Sequence, residues 1–201
     1  MIPAGLIAVV RASSMLECRT IVTGLADAGV TTIEITMTVP GALEIVRDLH
    51  DSSSTIGVGT VLDSATCRLA IEAGAQFIVA PVTDSSVLAV AHELGIEYVG
   101  GALTPNEIFL ALQLGVDAIK IFPIGSVGGP AYLKAILEPF PGLRTVVSGG
   151  IAVADMAAYR AAGAYSICLG GAIVDRDAAR AGDIEGVRRH ASLVVAQFQE
   201  S

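Results

Sequence analysis

Read as a string of apolar and polar positions, the chain switches repeatedly between two periods. Amphipathic, alanine- and leucine-rich stretches end at a glycine, a few residues follow, and a β-rich apolar run begins. The theme recurs in "DAGVTTIEI", "EAGAQFIVA", "ELGIEYVGG", "QLGVDAIKI" and "AAGAYSICL". It predicts left-handed helix caps at Gly29, Gly74, Gly95, Gly115 and Gly163. Eight runs read as strands: "GLIAVVR", "TTIEITM", "TIGVGTV", "QFIVAPV", "EYVGGAL", "DAIKIFP", "RTVVSGG" and "YSICLGG". A last helix is expected from about Asp183 to the C-terminus.

Alternating strands and helices predict a parallel sheet. Eight units predict its closure into a compact (β/α)8 TIM barrel, α/β in class, as a single domain over residues 1–201. A doubly wound open sheet is the alternative. Its dinucleotide form wants G-x-G-x-x-G at the first helix, where this chain runs "VVRASSM".

Composition narrows the classes. Hydrophobic residues make up 53% of the 201 and charged residues 16%, which fits strands covered on both faces. No apolar run has bilayer length, and "MIPAGLIAVVRASS" lacks a basic start and a clear cleavage site. A cytoplasmic location is the expectation. A net charge of -8 without a basic cluster argues against nucleic acid and against an anionic membrane surface as partners. Cys18, Cys67 and Cys168 are odd in number and far apart, and read as buried free thiols.

Barrel enzymes work at the C-terminal ends of their strands. In "TIEITMT" the residues Ile33, Ile35 and Met37 share one face, and Thr32, Glu34, Thr36 and Thr38 the other. With the apolar face against helices, Glu34 points into the barrel. The sixth run puts Ala118, Lys120 and Phe122 on one face. The chain has two lysines, and the other, Lys134, falls in a predicted helix. A lysine in mid-strand is either a structural ion pair, with Glu34 or Asp117, or a reactive amine. Burial favours a lysine's neutral form, which attacks carbonyls to give a Schiff base. A neighbouring carboxylate can move the protons that imine formation requires.

Gly149-Gly150 and Gly170-Gly171 end the seventh and eighth runs, where backbone N–H groups commonly hold phosphate. Arg11, at the end of the first run, is a candidate partner for a substrate carboxylate. His50, His92 and His190 all fall in predicted helices, so no metal site is expected.

The stretches "AVVRA", "IEITMTVPGA", "VGTVLD", "AGAQFIVAP", "TPNE", "IKIFP" and "SGGI" resemble, in order and spacing, the 2-keto-3-deoxy-6-phosphogluconate (KDPG)/4-hydroxy-2-oxoglutarate aldolase family. The resemblance implies a class I aldolase without cofactor or metal, usually a homotrimer, which cleaves a 2-keto-3-deoxy sugar acid to pyruvate and an aldehyde. It implies Lys120 as the Schiff-base lysine and Glu34 as the general acid/base. Thr60 and Pro81 resemble the pyruvate-side contacts, and Phe122 a pocket wall. Gly149 and Gly150 resemble the phosphate-binding turn.

The chain also departs from the family. Some members carry arginine where Thr38 stands, and others pair a threonine there with an arginine like Arg11. Ala80-Pro81 replaces a frequent S-P, Gly100-Gly101 a frequent P-G, and Gly171 a frequent serine. A sugar-phosphate epimerase-type barrel and a catalytically silent keto-acid-binding barrel are the rival readings.

Overall fold

The alternating periods become alternating elements in the computed structural model, which describes residues 2–200. The strands are β1 (Gly5–Val10), β2 (Thr32–Thr36), β3 (Thr55–Gly59), β4 (Phe77–Val79), β5 (Glu97–Ala102), β6 (Ala118–Ile121), β7 (Thr145–Ser148) and β8 (Ser166–Leu169). Each pairs in parallel with the next, and β8 closes on β1 with Ile167 opposite Leu6. The expected (β/α)8 barrel forms, and the open-sheet alternative falls away.

Around it lie α1 (Met15–Asp27), α2 (Ala42–Asp48), α3 (Ser64–Glu72), α4 (Ser85–Glu93), α5 (Pro105–Leu114), α6 (Gly129–Leu137), α7 (Met156–Ala161), α8 (Arg176–Ala181) and α9 (Ile184–Glu200). The side chains of Ser14, Asp63, Asp84 and Thr104 cap α1, α3, α4 and α5 by accepting first-turn N–H groups. At the other ends of helices, the five glycines of the repeated theme all have φ between 72° and 107°.

Period-two alternation sorts the strand side chains into two cores. Ile33, Ile35, Ile78, Ile119, Ile121, Val147 and Ile167 pack outward against the helices. Ile7, Val9, Phe77, Val79, Val99, Ala118, Val146 and Cys168 fill the barrel. Alternation from these residues turns Glu34 and Lys120 inward.

Several expected strand ends shift. β6 stops at Ile121, because Pro123 has no N–H to continue a ladder. Phe122 therefore lies one residue past the strand, although its ring still stands on the Lys120 side, 5.8 Å from Nζ. β3 stops at Gly59, and Arg11 stands just beyond β1. His50 follows α2 instead of belonging to a helix.

The N-terminal mouth is plugged. Ile2 is fully buried, and its N–H donates to Glu97 Oε2. Its carbonyl accepts from Arg144 Nη2 at 3.1 Å and from the Tyr165 hydroxyl at 3.2 Å.

Candidate active site

Glu34 on β2 and Lys120 on β6 come from strands on opposite sides of the eight-strand closure. Their side chains meet across its axis, with Lys120 Nζ 3.5 Å from Glu34 Oε1. Glu34 is fully buried and Lys120 is 4% exposed. Asp117, the other partner the sequence offers, is engaged elsewhere: its Oδ2 accepts from the Tyr98 N–H at 2.8 Å and lies 2.9 Å from His92 Nε2. Neither oxygen of Glu34 has a hydrogen-bond partner among the described residues. A buried carboxylate in that state is costly for stability, and cavities that do chemistry are where such groups gather.

The neighbouring strand makes room for it. Glu34 pairs in register with Gly57 on β3, whose next inward residue is Gly59. A Cβ on Gly59 would lie 1.8 Å from Glu34 Oε1, and one on Gly57 would lie 2.3 Å from the Phe77 ring. The "GVG" of the third strand is thus the complement of Glu34 and Phe77. Sequence reading overlooked this role, although two glycines on one strand face beside an inward acid are a usable signal. Immediately after Gly59, Thr60 adopts φ 61°. A β-branched residue there is an outlier that costs about 1–3 kcal/mol, and such strain concentrates at functional sites.

Phe122 stands beside the amine, its ring centroid 5.8 Å from Lys120 Nζ. It belongs to the walls of two cavities. The first, about 310 Å³, runs from Val9, Ser148 and Cys168 to Arg11 and the glycine pairs 149–150 and 170–171. The second, about 520 Å³, is lined by Phe122, Pro81, Gly101 and the apolar flank of α5. The structure therefore gathers Arg11, Phe122, Gly149, Gly150, Gly170 and Gly171 around one space. Pro81 shares the other with Phe122. Lys120, Glu34, Thr38 and Thr60 line neither space. Thr38 lies exposed after β2, its hydroxyl 2.7 Å from that of Thr36.

Gly149 has φ 89°, and a Cβ there would come within 2.9 Å of the Phe122 ring. Its carbonyl accepts the Gly125 N–H at 2.9 Å, which ties the turn after β6 to the end of β7. A side chain at 149 would both strain the backbone and displace the aromatic wall.

The thiols are poor nucleophiles here. Burial pushes Cys168 up to about 12, and the Glu34 charge adds to that, while Lys120 and a hydrogen bond with Ser148 act against it. Burial likewise raises Cys18 to about 12 and Cys67 to about 11. Among the described residues no group of three or more His, Cys, Asp and Glu side chains could hold a metal ion. No helix among them is long and apolar enough to cross a membrane.

Comparison with known proteins finds similarity along nearly the whole chain. The family model described as KDPG and KHG aldolase matches residues 1–190. The 2-dehydro-3-deoxy-phosphogluconate aldolase of Pseudomonas aeruginosa is 35% identical over 184 residues, covering 88% of this chain and 81% of that one. The KHG/KDPG aldolase of Escherichia coli is 32% identical over 174 residues, covering 85% and 81%. Among solved structures, native KDPGal superposes with a TM-score of 0.85 at 30% identity, over 97% of this chain and 94% of that one.

Proposed function

The chain belongs to the KDPG and KHG aldolase family, and from that premise we propose how its own residues perform the reaction. The protein is a class I aldolase that cleaves a 2-keto-3-deoxy sugar acid, with 2-keto-3-deoxy-6-phosphogluconate as the substrate, to pyruvate and glyceraldehyde 3-phosphate. The observation that carries this reading is the buried Lys120–Glu34 pair at 3.5 Å, with both carboxylate oxygens free of protein hydrogen bonds among the described residues.

Lys120 Nζ attacks the C2 ketone, and the carbonyl oxygen takes up a proton to give a carbinolamine. Glu34 relays that proton and delivers the one that lets water leave, which forms the iminium. Loss of the C4 hydroxyl proton then breaks the C3–C4 bond, and the bonding electrons pass into the iminium as an enamine. Protonation at C3 and hydrolysis of the imine release pyruvate and the free amine. Oxygens not committed to protein donors suit Glu34 for this traffic, because they can serve a substrate hydroxyl and a water in turn.

The 310 Å³ cavity fits the rest of the substrate. It opens beside Val9, the register partner of Glu34, and ends at the glycine pairs, whose backbone can approach a phosphate closely. Arg11 in its wall supplies a cation for an anionic group of the substrate. In this reading Thr60, Pro81 and Thr38 shape the pyruvate end of the site.

The homotrimer and the cytoplasmic location belong to the same proposal. Val82, Phe109 and Leu110 are each more than half exposed at or near the larger cavity, an apolar face that further copies of the chain would cover. A light-scattering mass of a single chain overturns the trimer. Three buried, unpaired thiols fit a reducing compartment.

Borohydride reduction in the presence of pyruvate tests the chemistry. Mass spectrometry should find a stable adduct on Lys120, and none in Lys120→Met. An unmodified wild-type protein overturns the imine mechanism.

A further inference from the structure

The 310 Å³ cavity has one cation in its wall, Arg11, and a second at its edge. Arg176 opens α8, and its Nη1 donates to the Arg11 carbonyl at 2.7 Å. A Cβ built on Gly171, a wall residue of the cavity, would stand 3.6 Å from Arg176 Nη2 and 3.7 Å from its Nε. The other edge of the guanidinium therefore lies where a side chain at 171 would project.

That edge is unspent. Among the described residues Nε and Nη2 donate no hydrogen bond, and Arg176 makes no ion pair within 4.0 Å. The acids around it have other partners. Glu17 accepts from the Ser13 N–H at 2.7 Å and the Ser13 hydroxyl at 2.6 Å, and its pKa is lowered first by those bonds and then by Arg176 and Arg180. Asp175 accepts the N–H groups of Asp177 and Ala178, and Asp177 lies 3.7 Å from Arg180.

A planar guanidinium held by one edge presents the other as a rigid two-donor fork, a shape matched to phosphate oxygens. On a chain of net charge -8, such local cations add to the glycine backbone N–H groups in drawing a dianion in. We propose that Arg176 is a specificity-determining residue. Its Nε–Nη2 edge binds the terminal phosphate of the substrate over Gly171, with Arg11 supplying the second charge. Glycine at 171 leaves the space between fork and cavity open. The inference rests on the aldolase reading of Lys120 and adds a side chain that selects phosphorylated substrates.

The test compares kcat/KM for a 2-keto-3-deoxy sugar acid with and without its phosphate. Arg176→Ala should lower the preference for the phosphorylated form by about 10- to 100-fold, the range for one charge-assisted contact, mainly through KM. Inhibition by inorganic phosphate should weaken in parallel, while pyruvate is still trapped on Lys120 by borohydride. Arg176→Gln keeps much of the side-chain stem but removes the charge and the fork, leaves Gly171 and the backbone untouched, and should reduce the preference likewise. It also decides the matter if Arg176→Ala does not fold. A preference unchanged in both variants, or an equal fall for both substrates, overturns the proposal. Wild-type protein that treats the two substrates alike removes the phosphate subsite and this proposal with it. Failure to trap pyruvate on wild-type Lys120 removes the aldolase reading instead.

Discussion

Each end of the barrel holds a carboxylate beside a cation, at nearly equal spacing. Glu97 Oε1 lies 3.4 Å from Arg144 Nη1 at the N-terminal mouth, and Glu34 Oε1 lies 3.5 Å from Lys120 Nζ near the other. The likeness ends there. Glu97 also accepts the Ile2 N–H, while Arg144 donates to the Ile2 carbonyl and stacks on Tyr165, its guanidinium carbon 4.8 Å from the ring centroid. Arg144 Nε alone is left over. The Glu97 and Arg144 side chains keep 23% and 30% of their exposure, against 1% and 5% for Glu34 and Lys120. The drier pair is the less satisfied one. Burial alone would favour the opposite arrangement, since unmet polar atoms cost most where water is absent. The N-terminal pair ties Ile2 to the strands, whereas the C-terminal pair keeps its bonding capacity for a substrate.

Exchanging one atom, one glycine or one cation tests that contrast. The largest effect is expected from Glu34→Gln, which keeps the shape and removes the proton carrier. Steady-state pyruvate release should fall by about 10²–10⁴-fold in kcat, with the protein as stable as before or more so. Near-normal turnover would place the proton relay on another group. Next comes Gly59→Ala, whose Cβ has no room beside Glu34 Oε1. Displacing the carboxylate by about 1 Å should cost roughly 10²-fold in rate, with circular dichroism showing a folded barrel. Full activity would mean that the glycine seat does not position the acid. Smallest in rate is Arg144→Met. It should leave kcat/KM unchanged and lower unfolding stability by about 1–3 kcal/mol in urea titration. A loss of turnover without a loss of stability would erase the distinction between the two ends.

Much of this was legible in one dimension. Helix-ending glycines, capping residues and the two periods act over a few neighbours, so they fixed the order of the elements and the eight-fold count. Lys120 and Glu34 stood out because each interrupts an apolar or alternating strand pattern, and that pattern already turned both inward. Where a strand ends depends on finer backbone detail. Phe122 and Thr60 leave the ladder one residue beyond β6 and β3, and only the backbone showed it.

The amino-acid order by itself determined the barrel, its inward lysine and acid, and the glycine-rich strand ends, because each follows from local periodicity and backbone preference. Tertiary structure decided the rest. It brought Lys120 and Glu34 together across the axis, seated Glu34 against Gly59, buried Ile2 in the opposite mouth, and laid Arg176 over Gly171. Those contacts join residues far apart in the chain, and their geometry is set by how eight strands tilt and shear on closing. No short-range pattern carries that information.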